Sequence, residues 1–353
     1  MRVARITLGT PAPASLDGAV LTRDLEVAGE HWVKGRRLSA ADLARIGRAV
    51  PQVESRPITV LLPEPGDVHE DDAARRLAVA VAGPGVRAGD PAQSRIDLRA
   101  TAAGILYVRS VIVEQVNGLD PLEVFTVLDG RAVEAGALVA SVKVAPHLVA
   151  ESVLARAEAI AGRAGRRGVV SVAPFRPRRV AAIVKESIRG IARDRFETSV
   201  RAKVEGLGSN LIGIDYVDDA TAPVEAALRR RATGRGTDRA DLVLTAGSSS
   251  TDPEDPFFIA IAALGGRVVR HGVPAHPGSM LWLARVGRIA VLGLPSCGAY
   301  SKATAADLLV PRLLAGEPAS VRTVARLGHG GILTRDQRFR FPAYARNLDA
   351  PEG

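Results

Sequence analysis

From Arg179 onward the hydrophobic residues fall into a regular rhythm. Val180-Ala-Ala-Ile-Val184 is a continuous apolar run, as expected of a parallel strand buried on both faces. Over 193–207, Phe196, Val200 and Val204 recur at i, i+4 and i+8, which predicts an amphipathic helix ended by Gly208. Residues 211–214, 242–245, 268–269 and 289–292 read as further strands, and 223–230, 258–264 and 302–314 as helices. Strands and helices in alternation predict an α/β fold, a three-layer αβα sandwich with a mostly parallel sheet, over 179–316. A tail, 317–353, follows.

Upstream the rhythm is different. Residues 1–82 read as a mixed α+β region: a strand over 3–7, a helix capped by Ser39, a strand over 57–62, and an Ala-rich helix opened by His69-Glu-Asp-Asp72. Acidic residues in a first helical turn complement the helix dipole, which accounts for that cluster more simply than a metal does. Residues 83–150 read as a β-rich domain, a small barrel or sandwich, in which Gly and Pro separate short apolar runs at 104–107, 111–113, 124–128 and 138–140. Asp129-Gly130 between two of these runs is a hairpin signal. A helix and a Gly/Arg/Pro-rich connector, 151–178, end at a domain boundary before Arg179.

Length supports this division, since 353 residues exceed what one hydrophobic core usually serves. Aromatic residues make up only 4% of the chain, and none is interleaved with the Arg clusters at 163–167, 176–179 and 229–235. The net charge of +9 therefore reads as solvated helix ends and linkers, and nucleic acid is an unlikely partner. A lone cysteine excludes an intrachain disulfide. No signal-peptide core and no apolar run of membrane-spanning length are found, so the expectation is a soluble, cytoplasmic protein with no membrane partner.

Two breaks in the rhythm carry the candidate chemistry. Asp241-Leu-Val-Leu-Thr245 runs into Ala246-Gly-Ser-Ser-Ser-Thr-Asp-Pro-Glu-Asp255, and Ile289-Ala-Val-Leu292 into Gly293-Leu-Pro-Ser-Cys-Gly-Ala-Tyr-Ser301. Strand–loop–helix units present such loops at the carboxyl edge of a parallel sheet, where helix amino termini favour anions. In the first loop, Thr245 and Gly247 open the turn, and Ser248, Ser249 and Ser250 supply donors for a phosphate-like oxyanion. Asp252 and Asp255 are candidate catalytic and metal-holding carboxylates for Mg²⁺, or a turn that caps the next helix. In the second loop, Pro295, Ser296, Cys297, Gly298, Ser301 and Lys302 form the facing cradle. Cys297 has no motif-placed His and reads as a packed residue. His271, His276 and His329 lie in Gly/Pro turns without a recognised zinc spacing.

The residues Thr245-Ala-Gly, Asp255, Gly265-Gly-Arg-Val, His271-Gly-Val, Pro277-Gly, Gly293-Leu-Pro and Pro311-Arg-Leu-Leu-Ala-Gly316 resemble, in order and spacing, the molybdopterin-binding domain shared by molybdenum insertases and molybdopterin adenylyltransferases. Asp-Pro-Glu-Asp255, Tyr300-Ser-Lys302 and Leu327-Gly-His-Gly-Gly331 look most like a two-part subgroup of that family. The resemblance implies a cleft for the pterin's dithiolene and terminal phosphate, with Mg²⁺ and either ATP or molybdate completing the reaction. Gly247, Ser248 and Ser250 would then line the phosphate loop, and Asp255 matches the family's acidic position. The pattern also departs from the family. Gly247-Ser248 stands where a Gly-Gly pair is usual, Leu294-Pro-Ser-Cys-Gly298 replaces Leu-Pro-Gly-Asn-Pro, and Lys185-Glu-Ser187 replaces a Thr/Gly-rich turn.

The leading expectation is an enzyme of molybdenum cofactor biosynthesis, a molybdotransferase-like transferase inserting the metal with Mg²⁺, or an adenylyl transferase. A molybdoenzyme client and a homo-oligomer are further expectations. Two alternatives remain: a non-catalytic molybdopterin carrier or sensor, and a nucleotide pyrophosphatase on a related fold.

Overall fold

The structure, a computed structural model, describes residues 1–50, 57–92, 94–185, 190–294 and 303–346. The chain divides into two compact units. One comprises Met1–Thr101, Tyr107–Asp129 and Gly136–Ser171, and the other Ala102–Leu106, Gly130–Ala135 and Val172–Gly353. No helix among the described residues is long and apolar enough to cross a membrane.

The first unit is β-rich with helices. Its opening part pairs Arg2–Ile6 antiparallel with Ile58–Leu62 and adds Val20–Leu21. The helix Ala40–Arg48 starts at a reciprocal cap: the Asp42 amide donates to the Ser39 hydroxyl, and the Ser39 amide to the Asp42 carboxylate. Leu43 and Ile46 then point into a core built around the fully buried Trp32. In the following part, the strands Val86–Ala88, Arg95–Ala100, Leu138–Val144 and Leu122–Thr126 form one antiparallel sheet. The helix Glu70–Val81 covers it, so helix on sheet replaces the expected barrel or sandwich. Arg76 of that helix bonds both Glu151 and Glu158 of the helix Glu151–Gly162.

His69 is the N-cap of Glu70–Val81: its Nδ1 accepts from the Asp71 amide, and its other ring nitrogen lies 2.8 Å from the Gly35 carbonyl. Its polar atoms serve the helix start, and among the described residues no His, Cys, Asp and Glu group has the arrangement of a metal site. Two details differ from the expectation. The apolar run 111–113 lies in a helix, Ser110–Asn117, because a short apolar run has no period that separates helix from strand. Leu122–Thr126 and Leu138–Val144 do pair, but the connection carrying Asp129-Gly130 is no two-residue hairpin. Ala132–Val133 within it pairs with Gly104–Ile105 instead.

In the second unit the elements are β1 (Arg179–Val184), α1 (Ile191–Glu205), β2 (Asn210–Tyr216), α2 (Thr221–Leu228), β3 (Leu242–Ala246), α3 (Pro256–Ala263), β4 (Arg267–His271), β5 (Trp282–Val286), β6 (Ile289–Gly293) and α4 (Ala306–Leu314). Two short helices follow, α5 (Val321–Ala325) and α6 (Ala343–Arg346). The strands form one sheet in the order β2-β1-β3-β6-β5-β4. β2, β1, β3 and β6 are parallel, and β5 runs antiparallel to both β6 and β4.

Side-chain alternation sorts this sheet's residues onto two faces. Val180, Ala182 and Val184 join Leu242, Leu244 and the α1 residues Phe196, Val200 and Val204. Ala181, Ile183 and Val243 join α2 and α3 through Val224, Leu228 and Phe257. The helices thus cover both faces, and the three-layer α/β sandwich expected for this region is what forms. β5 has no counterpart in the sequence reading. Its run Trp282-Leu-Ala-Arg-Val286 is buried almost throughout, but it follows a Gly/Pro-rich turn and reads from sequence as part of that loop.

One polar group lies inside this apolar packing. Lys203 of α1 donates to Asp307 of α4 at 2.5 Å, and both side chains are essentially inaccessible. The Tyr344 hydroxyl of α6 reaches the same carboxylate at 3.1 Å, and burial followed by the negative charge of Asp307 pushes that phenol well above its usual pKa. A buried pair with one partner removed leaves an uncompensated charge, whereas removing both leaves none. Lys203→Met should therefore lower the urea-measured unfolding free energy by about 3–5 kcal/mol. Adding Asp307→Asn to it should recover much of that loss.

Candidate functional site

Strand order decides where a ligand can enter. The chain leaves β1 towards β2 on one side, and leaves β3 towards the β6-β5-β4 half on the other. Connections that diverge in this way leave a crevice at the carboxyl ends of the strands between them. The β1, β3 and β6 ends are held level there: the Lys185 amide donates to the Ala246 carbonyl at 3.2 Å, and the Leu294 amide to the Thr245 carbonyl at 2.8 Å.

The loop after β3 begins at Gly247, whose φ of +84° is a left-handed backbone conformation that a side chain would strain. It then folds on itself. The Asp252 amide donates to the Ser249 carbonyl, the Asp255 amide to the Asp252 carbonyl, and the Glu254 amide to the Asp252 carboxylate at 2.9 Å. Asp255 ties the loop down. It is fully buried, and its carboxylate accepts from the Ser249 amide at 2.7 Å and from the Phe257 amide at 2.9 Å, capping α3 with Pro256 at the first helical position.

The same carboxylate takes the Lys185 ammonium at 2.9 Å, and Lys185 also reaches Asp219, beyond the end of β2, at 2.7 Å. Burial works against the charge on Lys185, but the hydrogen bonds it donates to Asp219 and Asp255 outweigh it and hold its pKa above the ordinary lysine value. This one side chain joins the ends of β1, β2 and the β3 loop. The sequence marks Asp255 as a site residue but Lys185 only as a departure from the family's turn after the first strand.

Ser248 is held from the other side. Trp282, fully buried on β5, donates its indole N–H to the Ser248 hydroxyl at 2.8 Å. Gly293 makes this contact possible, since a Cβ there would lie 2.1 Å from the indole nitrogen. Because the indole can only donate, Ser248 accepts with its oxygen and keeps its proton for a ligand. Thr245 offers a second hydroxyl: it is 1% exposed, and its oxygen has no hydrogen-bond partner among the described residues. Ser249 is exposed and Ser250 half-buried.

Asp252 is exposed, whereas Asp255 has one carboxylate oxygen shared by an amide and an ammonium and the other engaged by an amide. That arrangement does not fit Asp255 as a magnesium ligand, because a cation would have to displace the ammonium. Pro295, Ser296, Cys297, Gly298, Ser301 and Lys302 lie outside the described residues. His276 is stitched by its backbone to Gly331 and Leu333, and Pro277 to Ala305, so the turn serves the fold. His271 packs edge-on against Phe258, with ring centroids 5.0 Å apart.

Residues 179–315 match the family described as a probable molybdopterin binding domain, and this segment is a domain of that type. Among solved structures, the chain is similar to one titled the crystal structure of molybdopterin biosynthesis moea protein from Pyrococcus horikosii. The identity is 16%, the match covers 74% of this chain and 81% of that one, and the TM-score is 0.28. No curated protein matches the chain.

If Lys185 and Asp255 hold the loop, Asp255→Asn should cost about 3 kcal/mol of stability, while Asp252→Asn should stay within about 0.5 kcal/mol. Denaturant titrations of the two variants check this. Because the Lys185 pKa is raised on folding, its contribution is complete below the ordinary lysine pKa and is lost as pH rises through the raised one. The stability gap between wild type and Lys185→Met should accordingly be flat from neutral to mildly alkaline pH and narrow beyond.

Proposed function

We propose that the 179–315 domain binds molybdopterin by its terminal phosphate at the carboxyl edge of β1, β3 and β6, and that the protein acts in molybdenum cofactor biosynthesis. The observation that carries this reading is the prepared donor set on the β3 loop. Gly247 brings the backbone close, Ser248 keeps a proton to donate, and the buried Thr245 hydroxyl has no partner among the described residues. Donors fixed before the ligand arrives need no reorganisation, which is how a site distinguishes a phosphoryl oxygen from water. Lys185 and Asp255 act one step back by holding that loop in place.

Within cofactor biosynthesis the step we favour is metal insertion, with molybdate as substrate and Mg²⁺ arriving on the phosphates of its own ligand. Asp252, exposed on the loop, is a carboxylate that can meet it. A carrier that holds molybdopterin without turnover is the second reading. It is favoured by the commitment of Asp255 to two amides and an ammonium, which uses the loop's buried carboxylate in structure.

Purified protein incubated with molybdopterin, Mg²⁺-ATP and molybdate separates these readings when cofactor formation and AMP release are followed together. Binding with turnover supports insertion, binding alone supports the carrier, and failure to bind molybdopterin ends both. Ser248→Ala should weaken molybdopterin binding by roughly tenfold or more, the worth of one hydrogen bond to a charged group. Unchanged affinity would remove Ser248 from the site.

A further inference from the structure

Away from the strand-edge loop, the second unit gathers arginines around the last turn of α4. Arg312 of that turn is 6% exposed, and its guanidinium lies against Gly130, where a Cβ would come within 1.9 Å of Nη2. Arg131, next in the chain, lies with its guanidinium 5.7 Å from the centre of the Phe339 ring. Arg340, adjacent to Phe339, reaches the Gly330 carbonyl and Gln337, and a Cβ at Gly330 would come within 2.8 Å of its Nη1. Two glycines with left-handed backbones, Gly130 and Gly330, thus make room for two guanidiniums.

Counter-charge is short. Among the described residues, the carboxylate ion-paired with these arginines is Glu317, on Arg312 at 2.9 Å. The Nε groups of Arg131 and Arg312 are buried and have no hydrogen-bond acceptor among the described residues. Burial, and then the positive charge of a neighbouring arginine, hold Arg131 and Arg340 below the usual guanidinium pKa: Arg346 bears on Arg131 and Arg312 on Arg340. A buried donor without an acceptor costs about 1–3 kcal/mol, and like charges brought together add to that cost. An arrangement of this kind is relieved by an anion. Guanidinium forks match phosphate oxygens in pairs, and neighbouring cations favour multiple negative charge on a compact group.

We propose that Arg131, Arg312 and Arg340 form a binding site for a compact, multiply charged oxyanion of the phosphate class, sharing no residue with the strand-edge loop. Arg131 and Arg340 are half-buried, and Arg312 is buried beside them. The site stands independently of the molybdopterin reading.

The test uses the full chain and inorganic pyrophosphate as probe, with sodium chloride at equal ionic strength as reference. Saturating pyrophosphate should raise the wild-type Tm by about 3 °C, and calorimetric titration should detect binding at this site. The rise should persist in Ser248→Ala, which weakens the strand-edge loop, and in that background adding Arg131→Gln or Arg340→Gln should each abolish it. No rise in the wild type, an equal rise with sodium chloride, or a rise that survives both arginine substitutions would overturn the proposal. If one glutamine variant does not fold, the other decides, and Arg131→Lys, which retains the charge, should keep a reduced rise.

Discussion

Lys185 is the constraint on which the strand-edge site depends. It ends β1, lies almost out of solvent, and binds two carboxylates that come from different parts of the sheet edge. A buried ammonium is costly unless it is paired and hydrogen-bonded, and here Asp255 and Asp219 meet that need together. The consequence is geometric. Asp255 is held by its ammonium partner, the Ser249 amide is held by Asp255, and α3 is capped by the same carboxylate. Loop, helix start and neighbouring strand end therefore form one unit, so the loop can be rigid although it is rich in serine and glycine.

A second device works from the antiparallel half of the sheet. Trp282 pairs in register with Gly293 on β6, and the missing side chain at Gly293 lets the indole cross to the β3 loop. Phe257 and Phe258 of α3 flank the indole, with ring centroids 6.1 and 5.1 Å away, so its position is set by packing as well as by its hydrogen bond. A hydroxyl that has accepted from a pure donor still has its own proton to give. The polarity of Ser248 towards a ligand is thus decided by an aromatic residue two strands away.

These two supports separate holding a ligand from transforming it. The donors on the β3 loop are prepared, while the most deeply placed carboxylate is already used in structure. The usual expectation for an acidic residue at this position is chemical participation. Here an ammonium already engages that carboxylate, so its part in the structure is to hold the loop. The arginine cluster at the end of α4 shows the opposite condition, with donors and positive charge in excess of their internal partners.

Much of the α/β unit is legible in the chain itself, because its cause is local. Val180-Ala-Ala-Ile-Val184 is apolar at every position since both faces of that strand are covered. Phe196, Val200 and Val204 repeat at the helical period because one face of α1 meets the sheet. Gly247, Ser248 and Asp255 are likewise identifiable from a strand that breaks into a polar loop. What the sequence could not supply were relations between residues far apart in the chain. Lys185 with Asp255, Trp282 with Ser248, Lys203 with Asp307 and Arg131 near Phe339 are separated by tens to hundreds of residues, and no period or motif links them. Local patterning determines which face of an element is buried; only closure of the sheet determines which charge or hydroxyl then finds a partner, and so which carboxylate remains available for chemistry.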